Sequence, residues 1–73
     1  MCRSIKPLFN FDPPTTEDDI RAASLQFVRK ISGYQKPSKA NEAAFQAAVD
    51  QVAGAAAHLL RSLETKAPPK PRV

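Results

Sequence analysis

The chain has 73 residues, with 11 Lys and Arg against 7 Asp and Glu, one cysteine and a net charge of +4. A single cysteine excludes an internal disulfide. The sequence contains no run of about 18 apolar residues, the length that a membrane-spanning helix needs. A domain this small has a hydrophobic core that supplies only about 3–5 kcal/mol. We therefore expect a cytoplasmic protein that gains stability from a second copy of itself, and the positive charge predicts an anionic partner.

The first 14 residues predict an extended N-terminal strap. They end in Asp12-Pro13-Pro14, and two consecutive prolines cannot propagate a helix. The strap carries four apolar anchors, Ile5, Leu8, Phe9 and Phe11. No second strand is predicted to pair with it, so we expect it to pack across helices. Pairing with the strap of another copy is the less favoured alternative.

Residues 16–32 predict the first helix. Thr15 or Thr16 caps it, with Asp18 or Asp19 completing a capping box, and Gly33 is placed for a left-handed C-terminal cap. One face carries residues at helical spacing: Ile20, Ala23, Ser24, Phe27 and Ile31. The apolar stripe is wide, so this helix is expected to contact both the strap and a second helix.

Residues 39–64 predict a longer second helix, which Ser38 is expected to cap. Its seam has spacings of four and three: Phe45, Val49, Val52, Ala56, Leu59 and Leu63. After it, residues 65–73 form a basic, proline-rich tail that is predicted to be extended and disordered. The sequence thus divides into one helical domain, residues 1–64, and a flexible tail.

These elements predict an all-α fold, an antiparallel two-helix hairpin crossed by the strap. The second helix outruns the first, so the seam from Ala56 to Leu63 needs a cover, either the strap or a second protomer in a four-helix arrangement. The back of the second helix carries small residues: Ala43, Ala47, Gly54 and Ala57. They indicate either an alanine-rich solvent face or a close-packing surface of a dimer.

Cys2 raises the alternative of thiol chemistry. If Met1 is removed, a terminal amine and thiol lie together, and Arg3 with Lys6 would favour the thiolate. The other interpretations are a redox-sensing thiol, or a cysteine that is simply packed or exposed. Cys2 and His58 are the only soft metal ligands and do not have ligand spacing, so no metal site and no cofactor are predicted.

The segment from Ile20 to Asn41 contains five cations and no acidic residue. Four of the cations surround the turn between the helices, where Tyr34 offers a ring for stacking. We define the basic turn by its candidate anion-binding residues: Arg29, Lys30, Tyr34, Lys36, Ser38 and Lys39. It predicts a site for RNA, a ribonucleoprotein or an acidic protein, and a non-enzymatic binding or adaptor role. Alternatively, Arg29 and Lys30 only interact favourably with the negative end of the helix dipole, and Lys36 and Lys39 only make the loop soluble.

Several runs of the chain are distinctive, among them "LFNF", "IRAA", "LQFVRKISG" and "KPSKANEAAF". Over roughly residues 1–65 the sequence resembles a family of small bacterial proteins defined only as a domain of unknown function. The resemblance implies a bacterial cytosolic protein. It transfers no catalytic residue, because no activity is attached to the family.

Overall fold

The computed structural model describes residues 5–71. In chain order, these residues form a short strand β1, Phe11–Asp12, helix α1, Glu17–Ser32, helix α2, Glu42–Ser62, and a second short strand β2, Lys70–Pro71. A single 3₁₀ turn, Lys39–Asn41, leads into α2. The molecule is elongated, with extents of 46 × 22 × 19 Å.

Local sequence signals define both ends of α1. The Thr16 hydroxyl accepts the Asp19 N–H at 3.2 Å, and the Asp19 carboxylate accepts the Thr16 N–H at 2.9 Å. This is the predicted capping box, with Thr16 as the capping residue. At the other end Gly33 has a φ of 78°, and its N–H donates to the Arg29 carbonyl at 2.9 Å. The predicted left-handed cap is therefore confirmed.

The second helix begins differently from the prediction. Ser38 stands before the 3₁₀ turn, but its hydroxyl makes no capping hydrogen bond. Instead, the hydroxyl accepts the side-chain amide of Asn41 at 2.9 Å. The prediction that Ser38 caps this helix through its side chain is therefore wrong. The α-helix ends at Ser62, two residues before the predicted end.

The two helices pack together over a small core. Val28 and Val49 are the buried apolar residues of the described chain, and Ser24 is buried beside them. The Ser24 hydroxyl donates to the Ile20 carbonyl one turn earlier at 2.8 Å, so its burial leaves no unmet donor. Arg21 of α1 forms an ion pair with Asp50 of α2.

The strap packs at one end of the helix pair. Leu8, Phe9 and Phe11 are half-buried and line a groove of about 420 Å³ together with Ile20 and Leu60. Within the strap, the Thr15 hydroxyl donates to the Leu8 carbonyl. The strap covers the end of α2 only in part, because Leu59 and Leu63 stay 55% and 42% exposed.

The strap and the tail form a contact that the sequence did not predict. Strands β1 and β2 pair in parallel, with Phe11 opposite Lys70. Asn10, at a φ of 65°, receives the Lys70 N–H on its carbonyl at 2.9 Å. The prediction that the strap has no strand partner is therefore wrong. The fold is mostly helical, with one short pair of parallel strands. The predicted disorder of the tail is not confirmed.

Within residues 5–71, no helix is both long enough and apolar enough to cross a bilayer.

Candidate anion-binding turn

The predicted basic turn lies where α1 ends and α2 begins. Arg29 and Lys30 lie in the last turn of α1, and Gly33 then redirects the backbone because it adopts the left-handed conformation. Lys36 follows in the loop, and Lys39 opens the 3₁₀ turn. Lys30, Lys36 and Lys39 are exposed.

Asn41 organises the loop, although the sequence interpretation did not single it out. Its side-chain amide donates to Ser38 Oγ at 2.9 Å and reaches the Tyr34 hydroxyl at 3.5 Å. The Tyr34 N–H donates to Ser32 Oγ at 3.2 Å. Two predicted site residues, Tyr34 and Ser38, are thereby brought together. An Asn three residues after Ser38 is the signal that could have revealed this contact, since side chains at that spacing meet across one turn.

The charges of the turn are largely unneutralised. Arg21, the fifth cation between Ile20 and Asn41, forms an ion pair with Asp50. Among the described residues, no carboxylate pairs with the other four cations, Arg29, Lys30, Lys36 and Lys39. Glu42, exposed at the first position of α2, is the acidic side chain next to them in sequence.

Arg29 differs from the three lysines. It is half-buried, and its Nε is covered by the protein without a hydrogen-bond partner in the described part of the chain. A covered donor without a partner costs about 1–3 kcal/mol.

An apolar groove of about 310 Å³ lies beside the charged loop. Its wall includes Val28, Ile31, Tyr34 and Phe45. Tyr34 is 44% exposed, so its ring borders both the groove and the solvent. The arrangement places cations, which attract phosphates, next to an aromatic ring on which a base can stack.

The start of α2 offers fewer free donors than a bare helix end. The N–H groups of Asn41 and Glu42 already donate to the carbonyls of Ser38 and Lys39. The side chains, more than the helix end, therefore supply the donors of the turn.

The other candidate residues lie elsewhere. Cys2 and Arg3 are outside the described residues. His58 is exposed on α2. Over the part of the chain that the structure describes, no three His, Cys, Asp or Glu side chains gather as a metal site would require.

A family model described as an uncharacterized conserved protein, DUF2277, matches residues 1–73. The chain belongs to the DUF2277 family. This confirms the resemblance to a domain of unknown function. No curated protein and no solved structure matches the chain. The DUF2277 description assigns no activity.

Proposed function

We propose that this DUF2277 protein is a small non-enzymatic binding or adaptor protein whose basic turn contacts the phosphates of RNA. The observation that carries the proposal is the group of three exposed lysines, Lys30, Lys36 and Lys39, which have no carboxylate partner among the described residues. Unpaired surface cations keep their full attraction for phosphates, whereas a cation that is already paired would first have to leave its partner.

The helices are proposed to form an antiparallel hairpin. Two grooves, each lined by both helices, support this arrangement. Ile20, near the start of α1, lines a groove with Leu60, near the end of α2. Val28, near the end of α1, lines another with Phe45, near the start of α2. The basic turn then forms one end of an elongated molecule, remote from the carboxylates in the first turn of α1.

Tyr34 favours RNA over an acidic protein as the partner. Base stacking on an aromatic ring contributes about 1–3 kcal/mol per base, and single strands expose their bases. The exposed ring lies next to cations that would hold the flanking phosphates. A ribonucleoprotein presents the same chemistry, while an acidic protein uses the cations alone. A cytoplasmic location is part of the proposal, because the single cysteine cannot form an internal disulfide.

The salt dependence of binding tests the electrostatic part. A short fluorescent single-stranded RNA is titrated with the full chain at several salt concentrations. The logarithm of the binding constant is expected to fall linearly with the logarithm of salt, by about 0.7 for each phosphate that is neutralised. Binding that does not depend on salt would contradict the proposal.

Paired variants locate the contact. Lys36→Ala with Lys39→Ala is expected to reduce the slope of that plot by about 1.4, because two phosphate contacts are lost. The matched control is Lys6→Ala with Lys66→Ala, which removes the same charge from exposed positions outside the turn. If both pairs weaken binding equally, net charge and not the basic turn is responsible. An acidic polypeptide that competes as well as RNA would favour an acidic protein partner.

A further inference from the structure

Four large apolar side chains, two on α1, one on α2 and one directly after α2, are only partly covered. Ile31 is 67% exposed, Leu59 is 55% exposed, and Phe27 and Leu63 are each 42% exposed. Scattered exposed apolar residues are ordinary on a protein surface, whereas a contiguous group marks an interaction site. The question is therefore whether these four side chains lie together.

Helical geometry places them on one side of the proposed antiparallel hairpin. Buried Ser24 and Val49 mark the inward line of each helix. Phe27 and Val52 each follow those residues by three positions, which rotates both by about 60° in the same sense. Leu59 is rotated in that sense by about 80°. Since equal rotations fall on the same side of two antiparallel helices, these residues share a side.

The wall of the groove at the turn agrees with this placement. Ile31 of α1 and Ala48 of α2 line the same groove. Ala48 lies one position before Val49, a rotation of about 100° in the same sense as Val52. We call this surface the apolar side and define it by Phe27, Ile31, Ala48, Val52, Leu59 and Leu63.

The opposite side of the hairpin is already occupied. Arg21 and Asp50 form their ion pair there, in a groove that also includes Gly54 and Ala57. The strap packs against Ala57 and Leu60 at the far end. Ala57, from the small-residue face considered as a dimer surface, is therefore half-buried within the chain itself.

The apolar side carries no charge from α2. The titratable residues of that helix, Glu42, Asp50, His58 and Arg61, all fall outside it. A basic or acidic partner would find no complementary group on this helix. Against α2, the partner must therefore present a matching apolar surface.

Helix α2 has side chains of similar size and polarity at equal distances before and after its midpoint. Val52 is the central residue of Glu42–Ser62, and Phe45 and Leu59 lie seven residues to either side of it. Small residues, Ala48 and Ala56, lie four residues to either side. A two-fold axis through Val52 places the Phe45 of each copy beside the Leu59 of the other. Self-complementarity of this kind is what an isologous dimer interface requires.

We propose that the apolar side binds a second copy of this chain, with the two α2 helices antiparallel across a two-fold axis at Val52. Phe27, Ile31, Leu59 and Leu63 together leave about 400 Å² accessible, and the half-buried Ala48, Val52 and Ala56 lie between them. A specific interface buries about 800 Å² on each partner. The dimer is a four-helix bundle whose shared interior enlarges a core of two buried valines.

The dimer proposal rests on the antiparallel hairpin and not on RNA binding. Sedimentation of the full chain tests it. The 8.0 kDa chain is expected to sediment at twice that mass. Leu59→Lys is expected to return it to the monomer mass, because the lysine would face Phe45 of the partner. Ala47→Lys, an equal charge on the exposed back of α2, is expected to leave the dimer intact. A wild-type chain that stays at 8.0 kDa at several hundred micromolar would overturn the proposal, and so would equal effects of the two variants.

Cross-linking gives a readout that does not depend on the stability of Leu59→Lys. In a chain with Cys2→Ser, Val52→Cys is expected to form an intermolecular disulfide on mild oxidation, because a residue on a two-fold axis meets its own copy. Ala47→Cys in the same chain is expected to remain reduced. No cross-link at Val52, or equal cross-linking at both positions, would overturn the proposed geometry.

Discussion

Arg21 of α1 and Asp50 of α2 form an ion pair between the two helices across 29 positions of sequence. Gln46 donates a second hydrogen bond to the same carboxylate at 3.2 Å. These bonds, that of Arg21 first, hold the pKa of Asp50 below its ordinary value of 3.8. Both partners are about half exposed, so the pair fixes the mutual orientation of the helices more than it stabilises them.

The lowered pKa predicts a stability effect confined to acid. A carboxyl group with a depressed pKa in the folded state stabilises the fold above its unfolded value of 3.8, and this stabilisation is lost as the pH falls through the folded value. Asp50→Asn is therefore expected to lower the free energy of unfolding near neutral pH and to equal wild type in strong acid. Urea unfolding at several pH values measures the difference. Glu64→Gln is the control, and a gap between Asp50→Asn and wild type that persists unchanged into strong acid would contradict the assignment.

The capping box predicts the effect of a change at Thr16. Thr16→Ala removes the acceptor for the Asp19 N–H and is expected to cost about 1 kcal/mol of unfolding free energy. Thr16→Ser keeps the hydroxyl and is expected to stay close to wild type. Denaturant unfolding of the three proteins decides the matter. If alanine and serine behave alike, the hydroxyl does not cap α1.

The two glycines predict opposite effects of one substitution. Gly33 has a φ of 78°, so Gly33→Ala is expected to destabilise by about 1 kcal/mol even though open space surrounds it. Gly54 lies inside α2 with nothing within 4 Å of an added methyl group. Gly54→Ala is therefore expected to stabilise by about 1 kcal/mol. Thermal unfolding measures both variants, and shifts of the same sign would contradict the assigned backbone conformations.

Asn10 predicts how the tail is attached to the strap. Its side-chain amide donates to the carbonyls of Ala67 and Pro68 at 3.3 and 3.2 Å. Asn10→Ala removes both bonds and disfavours the left-handed backbone, so the Lys70 amide is expected to exchange with deuterium several-fold faster. Thr65→Ala, which removes a bond within the tail, is the control. A Lys70 amide that exchanges at the rate of an unfolded chain already in wild type would mean that the strand pair does not form.

Most of the helical structure could be predicted because its determinants are local. The capping box of α1 spans four residues and its C-terminal cap needs only Gly33, so both are visible in sequence. The pairing of Phe11 with Lys70 could not be predicted in this way. It uses backbone groups 59 positions apart and depends on a positive φ at Asn10, a conformation that asparagine tolerates better than most residues but does not by itself specify.

The candidate site was predictable to a similar degree. Its cations follow from the sequence because charge is a property of each residue alone. Arg21 is not available to an anion because it pairs with Asp50. This pairing depends on which side of α1 faces α2, and that is fixed only when the helices pack. The contacts of Asn41 depend on the 3₁₀ turn, whose geometry replaces the helix start that the sequence predicted.

Amide chemical shifts of the isotope-labelled chain, followed during addition of a short single-stranded RNA, test the proposed function most directly. The expected result is a set of shifts from Arg29 to Glu42, largest near Tyr34, that disappears in the Lys36→Ala and Lys39→Ala variant. The amides of the strap and of β2 are expected to stay in place. Shifts centred on residues 66–71, or no shifts at low salt, would contradict the assignment of the basic turn.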